Sequence, residues 1–349
     1  MDEERLRILK MIEEGVITAS EGAELLEAVK DKENASSTEN NTKQKSKKYG
    51  VKNFVNDAFD KIKNVDFDLS FGDYVEFTHV SESEDTSFQD MDISISNGKL
   101  GIKPWKENAV KAEYKVKVYQ TDDEAEGRER FMMDGQFQIE NNVLRLISPS
   151  KKIKTNVTLY VPEKTYDFVK MKLFNGSVKT EQLDLSHLLI KTSNGSIKTE
   201  NVSGEKCTLE TSNGSIHVLE GQFDTCEADT INGSVKLEGD FGKADASAIT
   251  GSVTCQYSGK RAHTGFFRTT TGSVNITLPD EVKIDGQLRT SIGSLKCDLD
   301  NYKILEDKKE VMNKKLHFEA FEMYERPYHL EAETKTGSVT VSSGAKEVL

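Results

Sequence analysis

One short step, Gly-Ser flanked by alternating aliphatic and polar residues, recurs through the chain and constrains its fold more than any other feature. Its glycines are Gly176, Gly195, Gly214, Gly233, Gly251, Gly272, Gly293 and Gly337, spaced by 19, 19, 19, 18, 21 and 21 residues and then by 44. A fixed period of this size marks a stacked repeat architecture, in which each repeat buries its apolar face only against its neighbours. Two residues after each glycine the side chain is always aliphatic: Val178, Ile197, Ile216, Val235, Val253, Val274, Leu295 and Val339. The next position is polar, and the fourth runs Thr180, Thr199, Val218, Leu237, Cys255, Ile276, Cys297 and Val341. That alternation is the period of a half-buried strand. Another inward column lies five before the glycine, from Met171, Ile190 and Leu209 to Ala332.

Two strands therefore flank each corner, and a more variable third segment completes the coil. A propeller blade takes about 40 residues, twice what is available. The pattern predicts a mainly β fold: a single-stranded parallel β-helix, or β-solenoid, of 18–21 residues per coil. The crossover rule for parallel strands makes it right-handed. The corner has a mechanical reading: Asn175, Asn194, Asn213 and Asn232 tolerate left-handed backbone, glycine supplies positive φ, and serine satisfies turn amides. Thr192, Thr211, Thr230, Thr269, Thr290 and Thr334 share the parity of the inward column, which predicts buried hydroxyls rather than an outward ligand-binding ladder. Val161-Pro162-Glu163 and Leu278-Pro279-Asp280 stand in the same relation to Gly176 and Gly293, a mark of internal duplication.

The N-terminal sixth of the chain reads differently. Leu6, Ile8, Leu9, Met11 and Ile12 form a helical stripe that Gly15 ends; a capping box from Thr18 to Glu21 then opens a second stripe. This predicts a helical hairpin over residues 1–30, too small to bury much surface alone and expected to dock on a partner, a second copy or its own body. Residues 31–50 are almost without apolar side chains and read as a disordered linker. Val51, Phe54, Val55, Ala58, Phe59, Ile62 and Val65 then make an amphipathic helix over 51–65, expected to cap the solenoid domain of residues 66–349. With Lys43, Lys45, Lys47 and Lys48 upstream, peripheral membrane contact through 43–65 is the other reading; Asp57, Asp60, Asp66 and Asp68 oppose it on anionic lipid. A second capping box, Thr121 to Glu124, opens a short polar helix running to about Met132.

A net charge of −12 spread along 349 residues argues against nucleic-acid binding, which needs clustered Lys and Arg. No apolar run reaches the roughly 20 residues of a membrane span, so no transmembrane segment is expected. The acidic start, Met1-Asp-Glu-Glu, lacks the features of a signal peptide, and the expected location is cytoplasmic with envelope association as an option. The four cysteines and six histidines show no metal-ligand spacing, and no cofactor-binding fingerprint is present. Cys207 and Cys226 should stack in adjacent coils as buried residues; a disulfide between them is sterically conceivable. A carbohydrate-active enzyme on this frame would draw on Asp229, Asp245, Lys260, Arg261, Arg268 and Arg289, with Arg268 and Arg289 in adjacent coils. Charges on a solenoid wall are ordinarily solvated, so no catalytic, cofactor or metal residues are assigned and the chain is read as no enzyme.

The Asn-Gly-Ser coils from 171 to 341, the two Pro-marked turns and the helical head at 3–30 together resemble the bacterial "putative adhesin" β-solenoid family, and within it the YvlB/LiaX-like group of Gram-positive bacteria. The head itself resembles SHOCT-like two-helix modules through Leu9, Gly15, Ile17, Thr18, Glu21, Leu25 and Leu26. The resemblance implies a non-enzymatic scaffold of the cell-envelope stress response, partnered by a membrane-associated regulator with a phage-shock-type domain. A surface adhesin or glycan-binding module is the alternative, and it requires export.

Overall fold

The computed structural model describes residues 72–259, 261–279, 282–310, 312–321 and 327–344. The hairpin, linker and capping helix expected over 1–65, and the first residues of the solenoid span, lie outside the described residues. Within the rest, one continuous sheet of 23 strands winds through stacked coils. A representative coil has a long strand, Asp184–Asn194, then the corner, then a short strand, Ile197–Glu200. The long strand pairs in parallel with Thr165–Asn175 on one side and Ser203–Asn213 on the other, with Ile190 level with Met171 and Leu209. The short strand stacks in the same way, Ile197 level with Val178 and Ile216. All three side chains of each set are buried, as the alternation predicts.

The corner explains the invariant glycine. A Cβ added to Gly214 or Gly233 would overlap the carbonyl oxygen of the corner glycine one coil back, so successive coils meet backbone to backbone. The inward threonines fasten that contact. Thr211 Oγ1 donates to the carbonyl of Gly195 at 2.9 Å, Thr230 to Gly214 at 2.9 Å, and Thr334 to Gly272 at 2.9 Å. The hydroxyls are buried as expected, but each bonds to the neighbouring corner and not to the next hydroxyl. The asparagines are not left-handed, contrary to expectation. They form an exposed amide ladder instead, Asn194 Nδ2 donating to Asn175 Oδ1 at 2.8 Å and Asn213 to Asn194 at 2.9 Å. Left-handed backbone falls six residues after the glycine, at Gln182, Asn201 and Glu220, all with φ near 53°.

The coils do not stack in chain order. The strands Asp90–Asn97 and Leu100–Trp105 lie between the coil of residues 143–162 and that of 165–181. At the other end, Tyr328–Thr336 and Val339–Ser343 lie between the coil containing Gly272 and the one containing Gly293. The chain steps over one level twice, and each step follows a proline of the matched pair: Pro162, then Thr165; Pro279, then Ile284. Proline has no N–H to donate to a ladder, so it suits a chain leaving one sheet level for another. The first step is tied to the coil it passes, with Lys164 Nζ donating to the carbonyl of Thr86 at 2.7 Å and Tyr166 Oη to that of Pro162 at 2.7 Å.

Both ends close with antiparallel strands, which leave fewer unpaired backbone groups for edge-to-edge association. Tyr74–Ser83 pairs with Val110–Tyr119, which pairs with Ile153–Pro162. Lys314–Ala320 pairs with Ile284–Ile292 and with Tyr302–Lys309. The helix Glu124–Asp134 covers the first hairpin through Phe131, whose ring lies 5.9 Å from Phe77 and 5.6 Å from Tyr114. Its cap is Asp123, accepting from the amide of Ala125 at 2.8 Å; Thr121, the residue expected there, donates to Glu126 at 2.5 Å.

Two predictions follow from the packing. Thr211→Val removes a hydroxyl that a buried carbonyl needs, whereas Thr199 Oγ1 is buried without a partner in a column that elsewhere holds Val218 and Leu237. In thermal or denaturant unfolding, Thr211→Val should cost about 1–3 kcal/mol and Thr199→Val should stabilise by about 1 kcal/mol. Deleting residues 322–349 should leave the strands at 284–298 without their parallel partner, so hydrogen exchange over 282–320 should rise by about 100-fold or more while 165–257 stays protected.

Candidate functional site

The residues four before each glycine face outward and run in register as Lys191, Glu210, Asp229, Ser247, Arg268, Glu333 and Arg289. Of the side chains a carbohydrate-active enzyme would use, Asp229, Asp245 and Arg268 come together on this wall. Arg289 does not join them as expected, because the C-terminal strand inserts Glu333 between it and Arg268. Arg261 lies elsewhere, held by Asp240 at 3.0 Å and Asp224 at 3.3 Å, and Lys260 is outside the described residues. The gathered groups are already engaged with one another. Arg268 Nη2 donates to Asp245 Oδ1 at 2.7 Å, and Ser247 Oγ donates to Asp229. Burial pushes the Asp229 carboxyl up to about 6, against the lowering effect of Ser247, with Asp245 and Glu210 adding repulsion. Asp245 is also raised, by burial, with Arg268 opposing.

Two more clusters have chemistry worth placing. Asp285 holds two histidines, His317 Nε2 on Oδ1 at 2.7 Å and His329 Nδ1 on Oδ2 at 3.3 Å, so it joins the end-closing strand to the inserted C-terminal strand. Residues 285, 317 and 329 are too far apart in the chain for spacing to have revealed them. Among the described residues, no group of three or more His, Cys, Asp or Glu side chains is arranged to hold a metal ion. Cys207 and Cys226 are level on adjacent strands and buried, as expected, and both are free thiols. Burial pushes the Cys207 thiol well up, which keeps it protonated and unreactive. Cys255 and Cys297 sit three levels apart, because the inserted coil places Val341 between Ile276 and Cys297.

A concave surface lies on the outer side of the short-strand wall, near its N-terminal end. It is a groove of about 580 Å³ with mostly apolar lining. Its dent is made by Gly101, at the position where the next coils carry Lys179 and Lys198. One flank is the antiparallel hairpin, which contributes Val80, 54 % exposed, and Lys115. Lys99 stands at the corner beside it. Among the described residues neither Lys99 nor Lys115 has an ion-pair partner, while Lys198 is paired with Glu200 at 3.1 Å. The groove escaped sequence reasoning because the antiparallel pair on its flank joins Tyr74–Ser83 to Val110–Tyr119, across the intervening residues 84–109; Gly101 in place of a lysine was the one local sign.

The raised Asp229 gives a pH test with a definite sign. Its folded pKa lies above the ordinary value of 3.8, so its charge is a penalty to the fold that is fully present above about pH 6 and disappears as pH falls toward 4. Asp229→Asn should therefore raise the melting temperature at pH 7.5, by a stability gain on the order of 1–3 kcal/mol, and should have little effect at pH 4. Thermal unfolding of the two proteins at both pH values checks it.

A family model described as Toastrack DUF4097 matches residues 86–320, and one described as a SHOCT-like domain matches residues 3–34. The chain is similar to the uncharacterized protein YvlB of Bacillus subtilis (strain 168), at 38 % identity covering 97 % of this chain and 98 % of that one. It is also similar to two solved structures. One is a "putative cell adhesion protein" from Clostridium sporogenes, with 11 % identity, a TM-score of 0.31 and coverage of 77 % of this chain and 100 % of that one. The other is a "putative adhesin" from Bacteroides fragilis, with 11 % identity, a TM-score of 0.32 and coverage of 76 % and 97 %. At such scores these two likenesses carry no argument. The family match spans more than half of the chain and the YvlB likeness nearly all of it: the chain belongs to the Toastrack DUF4097 family.

Proposed function

We propose that this protein is a non-enzymatic binding scaffold of the bacterial cell-envelope stress response. The solenoid is its interaction surface, and the helical head at 1–30 captures a partner or a second copy. The observation that supports a scaffold is where the outward polar groups go. Asparagine amides bond to asparagine amides, corner amides to serine hydroxyls one coil away, and wall lysines to wall carboxylates. Polar chemistry spent within the wall, between coils as in Lys191–Glu210 or along one strand as in Lys198–Glu200, leaves an extended surface and the groove beside Gly101. Catalysis by groups such as Asp229 and Asp245 would instead need acceptors free to reach a substrate.

The role of the head is supported by its composition and by the separate SHOCT-like match at 3–34, joined to the body through a stretch with almost nothing to bury. The stress-response assignment rests on the resemblance to the YvlB/LiaX-like group. Its partner would be a membrane-associated regulator with a phage-shock-type domain. Deleting residues 1–30 should abolish co-purification of such a regulator, by at least about tenfold, while circular dichroism of the remaining β structure is unchanged. Undiminished capture by the truncated protein would count against the reading, as would recovery of the native protein only on the outer cell surface.

A further inference from the structure

The outer face of one strand gathers positive charge in a protein whose net charge is −12. Strand Ile153–Pro162 presents Lys154, Asn156 and Thr158 outward, at every second residue. On one side Lys117 is level with Lys154, Lys115 with Asn156 and Glu113 with Thr158. On the other side Gly101 is level with Thr158, and Asn156 Oδ1 accepts from the amide of Lys99 at 3.0 Å. Lys117 against Lys154 sets like charges directly opposite each other, which costs stability. Lys117 is paired with Glu76 at 3.1 Å, but Lys99, Lys115 and Lys154 have no ion-pair partner among the described residues. Glu113, the carboxylate of this set, is already held by Lys111 at 2.8 Å and by the Tyr160 hydroxyl at 3.3 Å. We propose that this face binds an extended acidic peptide carrying an apolar side chain and, two and four residues from it on the same face, two carboxylates. The inference rests on the scaffold reading above, in which the solenoid is the interaction surface, and adds the chemical class of the partner.

Register decides the match. In an extended peptide, residues i, i+2 and i+4 share one face at steps of about 6.8 Å, the same steps that separate Thr158, Asn156 and Lys154. A peptide lying along this strand with its apolar side chain over Thr158 fills the dent that Gly101 leaves, in the mostly apolar groove that also exposes Val80. Its first carboxylate then stands over Asn156, between Lys99 and Lys115, each one strand spacing away, about 4.8 Å. Its second stands at Lys154, beside Lys117. The group that fills the dent and the groups that meet the cations lie on one face of the peptide, so all three contacts form together. Glu113 lies opposite the apolar position, where no carboxylate has to approach it.

Isothermal titration calorimetry of the full chain with the probe acetyl-Leu-Thr-Glu-Thr-Glu-amide tests this, beside the same peptide carrying glycine for leucine. In about 50 mM salt one probe peptide should bind per chain, saturably. Lys99→Gln/Lys115→Gln should weaken binding by about fivefold or more, and the glycine peptide should bind about tenfold more weakly. Gly101→Lys separates shape from charge. A Cβ at Gly101 meets nothing nearer than a carbonyl oxygen at 3.9 Å, and the next coils carry Lys179 and Lys198 at this position, so the fold accepts the change. It adds a cation but fills the dent, and binding should weaken by about tenfold. Circular dichroism of each variant is the control for folding. Absence of saturable binding would overturn the proposal. So would binding that Gly101→Lys leaves unchanged or tightens, or equal binding of the glycine peptide; either would assign the face to anions of any kind. Self-association of the chain that Lys99→Gln/Lys115→Gln abolishes in sedimentation would assign the face to a second copy and overturn it as well. Deleting residues 1–30 leaves this face in place, so lost capture of a regulator by that truncation and lost peptide binding here are separate results.

Discussion

At the corners from Gly195 to Gly337 the carbonyl oxygen of one glycine occupies the space where a side chain on the next corner glycine would have to stand, and at most of them, though not where Ala248 replaces the threonine, a buried threonine hydroxyl donates to that oxygen. Everything else about the coil is arranged around that contact. Backbone-to-backbone approach fixes the coil spacing at the strand separation of a sheet, about 4.8 Å, and brings each inward side chain level with its counterpart. Apolar columns such as Met171, Ile190 and Leu209 then pack in depth, and the asparagine and serine ladders follow because identical side chains are held in register outside. Any side chain at such a glycine, alanine included, would separate two coils and disturb all of these ladders at once.

A stack held by nearest-neighbour contacts has a weakness at its ends, where a coil has no partner. This chain answers it by spending parts of its length out of order. The N-terminal coil at 90–105 and the C-terminal coil at 327–344 each fill a level that the chain has stepped over, so both ends of the stack are locked by segments distant in sequence. The C-terminal level is tied further by Asp285, which holds histidines from the inserted strand and the closing strand, and by the buried contact between the hydroxyls of Tyr257 and Tyr328 at 2.9 Å. Contacts of such long range are slow to form, and the cost falls on folding rate rather than on stability.

The sequence made column membership legible and left coil order hidden. Parity and period placed Ile197, Leu209 and Thr211 inside correctly, because a side chain's face is decided within its own strand. Which strand lies next is a long-range decision, and nothing local distinguishes Arg289 one level from Arg268 from Arg289 two levels away; only the repeated proline, at 162 and 279, marked the places where order breaks. The left-handed column was hidden because Gln182, Asn201 and Glu220 share no residue type, while the asparagines that suggested it serve a ladder. At the candidate site, the acidic character of Asp229 and Asp245 was visible, but their raised proton affinity depends on burial by neighbouring coils. The groove was not visible at all, since its flank is a hairpin whose partner choice no motif announces.

The permuted order of coils is the claim on which the stack, the closed ends and the separation of Arg268 from Arg289 all depend, and paired cysteines test it most directly. Asn275, Thr340 and Lys296 face outward at the same position of three successive levels in the order given. Neighbouring levels place Cα atoms about 4.8 Å apart, inside the range a disulfide spans, and alternate levels place them about 9.6 Å apart, outside it. Under mild oxidation the pair Asn275→Cys/Thr340→Cys should cross-link efficiently and Asn275→Cys/Lys296→Cys should not. Efficient cross-linking of the second pair with none of the first would show coils stacked in chain order and would contradict the account.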